Sequence, residues 1–172
     1  HAKSNGGKTL VLGHQLLAAL KNTTYLRIVL FALDVNTRPM INRLHANVGN
    51  LPLNNDYNKE IFTHRLKLGI KSDTWNDRFW IVRSPRGGLT AKDMIEIIEE
   101  IQTICRPLDL ERGIDPEIAG DVDYIGTDAI NNVKHQVSKY NPEKRHQYDD
   151  SILCMAGYTE RTGKVWNFTA QA

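Results

Sequence analysis

The chain has 172 residues, 41% of them hydrophobic and 24% charged, with a formal net charge of +2. That size predicts one domain with enough core to fold without staples. No run of about 18 apolar residues argues for a membrane span, and the near-balanced charge gives no bulk signal for nucleic acid. The two cysteines, Cys105 and Cys154, lie in separate apolar-patterned segments. They predict buried free thiols rather than a disulfide framework, which favours a reducing, cytosolic setting.

The first predicted element is a helix over 10–21, where Leu12, Leu16, Leu17 and Leu20 recur at helical spacing. Tyr25 to Leu33 is an apolar, β-branched run broken only by Arg27, which suits a buried parallel strand. A second helix is expected over 37–47, with Pro39 in its first turn. A loop follows over 50–58, with short strands at 65–70 and 79–82. Ser84-Pro85-Arg86-Gly87-Gly88 marks a turn, and Thr90-x-x-Asp93 has the form of a capping box. The helix behind it carries Met94, Ile97, Ile98, Ile101 and Ile104 as one apolar stripe. Residues 106–120 read as an irregular charged connector, 122–125 as a short strand, and 131–144 as a polar, mobile segment. A helix over 145–162 presents Tyr148, Ile152, Met155 and Thr159 on one face, and Gly163 ends it. A last strand is expected over 164–170. Alternating helices and strands predict an α/β sheet with crossover helices. Trp75 and Trp80 flank an expected hairpin, with Trp80 in the core. His14, His45, His64, His135 and His146 have no metal-ligand spacing.

Three constellations carry chemistry. Ala2-Lys3-Ser4-Asn5-Gly6-Gly7-Lys8-Thr9 fits an Ala-first phosphate loop directly ahead of a helix. Its glycines let backbone N–H groups turn inward around a β-phosphate, and the helix points its positive end at the same anion. Lys8 would then reach the β- and γ-phosphates and the Thr9 hydroxyl would ligate Mg²⁺. A flexible Gly-rich tail is the competing reading. Asp34 closes the first apolar strand, where a carboxylate can orient an attacking water; a turn aspartate is the alternative. Asp123, or its neighbour Asp121, is a candidate to hold Mg²⁺ at a strand end, against two solvated loop aspartates. Gln171, after the last strand, is placed to sense a γ-phosphate, although a terminal Gln is usually just exposed.

In order and spacing these pieces resemble the RecA-type ATPase domain of DnaB-like replicative helicases, including phage-encoded ones. Residues 2–9 are similar to that family's Walker A loop. Residues 28–36, followed by Met40-Ile41-Asn42-Arg43-Leu44, resemble its next strand and helix, with Asp34 where the family usually has a catalytic Glu. Gly88-Leu89-Thr90 looks like its Gly-Leu-Thr segment, and Asp123-Tyr124-Ile125 like the Asp-Tyr-Leu that ends its Walker B strand. Residues 159–171 resemble its sensor helix and strand, with Gln171 as the sensor. The resemblance implies a RecA-like P-loop core of mainly parallel sheet flanked by helices. The chain is then expected to be a fragment lacking its first strand and incomplete at both ends. It further implies an ATP hydrolase using ATP and Mg²⁺ and a homo-oligomeric ring, a hexamer. Single-stranded DNA in the channel, a primase or helicase loader as partner, and a bacterial or phage-infected cytoplasm complete the expectation.

Two other readings stay open. Lys3 ahead of Gly6-Gly7-Lys8-Thr9 also looks like the deviant loop of partition-type ATPases, although Arg83-Ser84-Pro85 stands where that family has Asp-x-Pro. The other is a non-enzymatic phage or plasmid structural module with a chance Gly-Lys-Thr.

Overall fold

The computed structural model describes residues 8–22, 26–33, 78–84, 88–134 and 144–170. The elements expected over 37–47, 50–58 and 65–70, and Trp75, lie outside them, as does most of 131–144. In chain order the described elements are α1 (Lys8–Asn22), β1 (Ile28–Ala32), β2 (Phe79–Arg83), α2 (Ala91–Glu111), β3 (Tyr124–Asp128), a single 3₁₀ turn (Ile130–Asn132), α3 (Lys144–Thr162) and β4 (Val165–Phe168). The four strands form one all-parallel sheet in the order β2-β1-β3-β4. With helices against it, this is an α/β fold.

β1 lies inside the sheet, and all five of its residues are buried. Its side chains alternate between two cores, as the pleat requires. Ile28, Leu30 and Ala32 meet Leu12, Leu16, Leu17 and Leu20 of α1. Val29 and Phe31, with Leu33 beyond them, meet Met94, Ile98, Ile101 and Cys105 of α2 and Met155 and Tyr158 of α3. Each fully buried leucine contributes roughly 2 kcal/mol by transfer from water. A strand covered on both faces explains why 25–33 is nearly unbroken in hydrophobicity.

The capping box forms. The Asp93 N–H donates to the Thr90 hydroxyl at 3.1 Å, and the Thr90 N–H donates to the Asp93 carboxylate at 2.8 Å. Hydrogen bonds from the Thr90 N–H and then the Thr90 side chain hold the Asp93 carboxyl below its ordinary range. Thr90→Ala is expected to lower stability by about 1 kcal/mol with the α2 core unchanged, as read by urea denaturation.

Three expectations need correction. Helix α2 does not stop at Cys105; it runs through Pro107 to Glu111. The reason is Asp109, buried on its last turn, which binds Arg27 at the start of β1. The stripe also closes on Cys105 rather than Ile104, which is 48% exposed. The 94-98-101-105 spacing keeps one face, and Ile104 falls off it. Finally, Cys154 is exposed, and only Cys105 is a buried thiol.

On α3 the buried face is Ser151, Met155 and Tyr158, with Ile152 packed beside them. Gly163, at φ +68°, ends the helix as expected, its N–H bonding the Thr159 carbonyl. Trp80 packs against the α2 core. No helix among the described residues is long and apolar enough to cross a membrane.

Candidate functional site

Ligands of open α/β sheets bind beyond the carboxyl ends of strands, where neighbouring strands send their connections in opposite directions. Here that place lies between β1 and β3. The chain leaving β1 returns at β2 on one side, and the chain leaving β3 returns at β4 on the other.

The residue that β3 delivers to this point is Asp128. It pairs in register with Ala32 and is only 8% exposed. A carboxylate so enclosed needs partners. The Thr169 hydroxyl, just past β4, donates to its Oδ1 at 2.7 Å. The same hydroxyl oxygen accepts the Ala129 N–H at 2.9 Å. Ala129 adopts the left-handed conformation (φ 60°, ψ 67°), the only non-glycine at positive φ among the described residues. That conformation disfavours a residue with a Cβ by about 1–2 kcal/mol, and such outliers cluster at functional sites.

Helix α1 begins at the same edge. Arg78, just before β2, donates from Nη2 to the Leu20 carbonyl (3.3 Å) and from Nε to the Leu26 carbonyl (3.0 Å). The end of α1 therefore lies at the amino edge of the sheet, and the helix runs antiparallel to the strands. A Cβ on Gly126 would stand 3.1 Å from methyls of Leu16 and Leu30, which sets Leu16 level with Gly126. From there Asp128 is about 7 Å along β3 and Thr9 about 10 Å along α1. Alternation along β3 turns Asp128 to the α1 side of the sheet, opposite to Ile125. The first turn of α1, beginning at Lys8, thus lies at or just beyond the level of the buried carboxylate.

Asp123 lies elsewhere. It precedes β3 rather than ending it, and its Oδ2 accepts the Arg27 N–H at 3.0 Å at the amino edge. Burial raises its carboxyl above the ordinary range, and the Arg27 N–H pulls it back down. The full length of β3, about 16 Å, separates it from Asp128. Asp121 is also at this edge, with Gln102 at 3.1 Å and Lys164 at 3.5 Å on its Oδ1. Neither carboxylate faces the start of α1. The expected strand at 122–125 is displaced because the Asp123 and Tyr124 N–H groups both bond the Arg27 carbonyl, so pairing starts only at Tyr124.

Of the other expected site residues, Ala2, Lys3, Ser4, Asn5, Gly6, Gly7, Asp34 and Gln171 lie outside the described residues. Lys8 and Thr9 open α1, Asp34 follows Leu33 at the end of β1, and Gln171 is two residues past Thr169. Asp128, which the sequence analysis does not single out, is the enclosed carboxylate at this switch point. The expected strand stops at Ile125, yet it continues because Gly126 admits Leu16 and Thr127 is fully buried, its hydroxyl accepting the Trp166 indole N–H at 2.9 Å. Two buried, satisfied polar positions on one apolar-flanked stretch were the available signal. Among the described residues no group of three or more His, Cys, Asp or Glu is arranged to hold a metal.

Neither any protein-family model nor any curated protein sequence matches this chain.

Proposed function

We propose that this chain is the motor core of an ATP hydrolase, a ring-forming DNA helicase that moves on single-stranded DNA during replication. The observation that carries the reading is the meeting of two features at one sheet edge. A helix opens on Gly6-Gly7-Lys8-Thr9 in sequence, and a buried aspartate, Asp128, ends the strand at the switch point on the same face.

A hard divalent cation takes oxygen donors, and this reading assigns it the Asp128 carboxylate and the Thr9 hydroxyl, with water and phosphate oxygens as further ligands. When bound, Mg²⁺ would neutralise charge on the phosphates. Asp128 takes the part the sequence offered to Asp123. Backbone N–H groups of 2–9 and the positive end of α1 hold the triphosphate, and Lys8 binds its outer phosphates. Asp34 orients the attacking water from the end of β1. Gln171, beyond β4, reads the presence of the γ-phosphate. The helicase part of the reading, with a hexameric ring, DNA in its channel and a primase or loader as partner in the cytoplasm, rests on the resemblance in motif order.

Lys8→Ala is expected to lower Mg²⁺-dependent ATP hydrolysis by about a hundredfold or more, as loss of a preorganised charge-stabilising donor does. The assay is phosphate release with and without single-stranded DNA. Hydrolysis stimulated by DNA and lost in Lys8→Ala supports the helicase. DNA-independent hydrolysis moves the chain to another ATPase class, and absence of nucleotide binding sinks the site altogether.

A further inference from the structure

We propose that Thr169 is a positioning residue that sets the Asp128 carboxylate for the divalent cation accompanying the triphosphate. The proposal rests on the nucleotide-site reading above and deepens it.

The hydroxyl of Thr169 is used in both directions. Its oxygen accepts the Ala129 N–H at 2.9 Å, and its own hydrogen goes to Asp128 Oδ1 at 2.7 Å. A free hydroxyl rotates to suit its surroundings; this one is committed, because accepting from the backbone leaves its proton only the carboxylate. The backbone on each side is pinned as well. The Thr169 N–H bonds the Thr127 carbonyl at 2.9 Å, and the Ile130 N–H bonds the Thr169 carbonyl at 2.8 Å. Asp128 is therefore bracketed by bonds from Thr127, Ala129 and Ile130 to one residue just past the neighbouring strand. The left-handed turn at Ala129 brings the chain back to that residue. A short charge-assisted hydrogen bond fixes the plane of a carboxylate. Fixing one oxygen orients the group as a whole toward the α1 side, which is the device by which residues behind a metal ligand tune metal affinity. The hydroxyl also satisfies two buried groups, the Ala129 N–H and the Asp128 carboxylate, so Mg²⁺ dependence, rather than stability, is the readout that separates positioning from a structural role.

The test is binding of a fluorescent, non-hydrolysable ATP analogue to the full chain, titrated against Mg²⁺. Thr169→Val is expected to raise the half-saturating Mg²⁺ concentration about tenfold or more, the usual size for loss of a group supporting a metal ligand. Binding without Mg²⁺ stays as in the parent chain, and Thr169→Ser, which keeps the hydroxyl, restores the parent Mg²⁺ dependence. In an Asp128→Asn background Thr169→Val adds no further shift, since the two act as one unit. If circular dichroism shows Thr169→Val unfolded, Thr169→Ala carries the same comparison. A folded hydroxyl-free variant with parental Mg²⁺ dependence overturns the proposal, as does an undiminished shift in the Asp128→Asn background. If the parent chain binds no nucleotide, or binds it equally well as Lys8→Ala, the nucleotide-site reading fails first and takes this one with it.

Discussion

Asp109→Ala is expected to destabilise the chain by about 3–5 kcal/mol, a large share of what a domain of this size has to lose. Arg27 and Asp109 are each only 3% exposed. Arg27 Nη2 lies 2.9 Å from both carboxylate oxygens, and Nη1 donates to the Asp121 carbonyl at 3.0 Å. The Gly120 N–H also donates to Asp109, at 2.8 Å. Removing the carboxylate leaves a buried guanidinium and a buried N–H without their acceptor, and desolvation of those groups is the source of the loss. Urea denaturation measures it. Replacing the pair together, Arg27→Met with Asp109→Leu, is expected to recover most of the stability, because the pair's net worth is much smaller than the penalty for orphaning one member. A single variant that melts like the parent would show that water reaches the pair.

Gly120→Ala is expected to cost about 2–5 kcal/mol, from backbone strain and overpacking together. Gly120 has φ +85°, and an added Cβ would lie 2.6 Å from the Gln102 carbonyl oxygen and within 2.9 Å of the Arg106 Cα and Cβ. All three neighbours belong to α2, whose backbone cannot yield without moving Asp109. Gly113 is the control. Its φ is +76° with nothing within 4 Å of the added Cβ, so Gly113→Ala carries the strain alone, about 1–2 kcal/mol. The difference between the two unfolding midpoints isolates the close approach. Equal losses would mean that the loop carrying Gly120 moves off α2 at little cost.

Much of the fold was legible because its period is strong. The leucines of α1, the apolar run of β1, the capping box of α2 and the glycine after α3 all mean locally what they become globally. Two of the departures share one cause, polar residues buried by distant partners. Pro107 and the charges around it read as a connector, but Asp109 is drawn inside by Arg27, 82 positions away in sequence. Gly126, Thr127 and Asp128 belong to no expected element, yet Leu16 packs against the glycine and Trp166 satisfies the threonine. Asp128, the carboxylate we propose for the cation, and Asp123, which the resemblance offers, thus stand at opposite edges of the sheet. Lys8 and Thr9 were easier to name, since the helix they open was written in the leucines behind them.

The Arg27–Asp109 pair and the Asp128–Thr169 pair sit at opposite edges of the same strands, about a strand length apart. Effects of substitutions that far apart, with no shared partner, generally add. A buried ion pair that supports stability and the enclosed Asp128 carboxylate thereby lie at separate ends of one scaffold. On the proposed function, substitutions around Asp128 change nucleotide and Mg²⁺ binding while the loss measured at the Arg27–Asp109 pair stays the same.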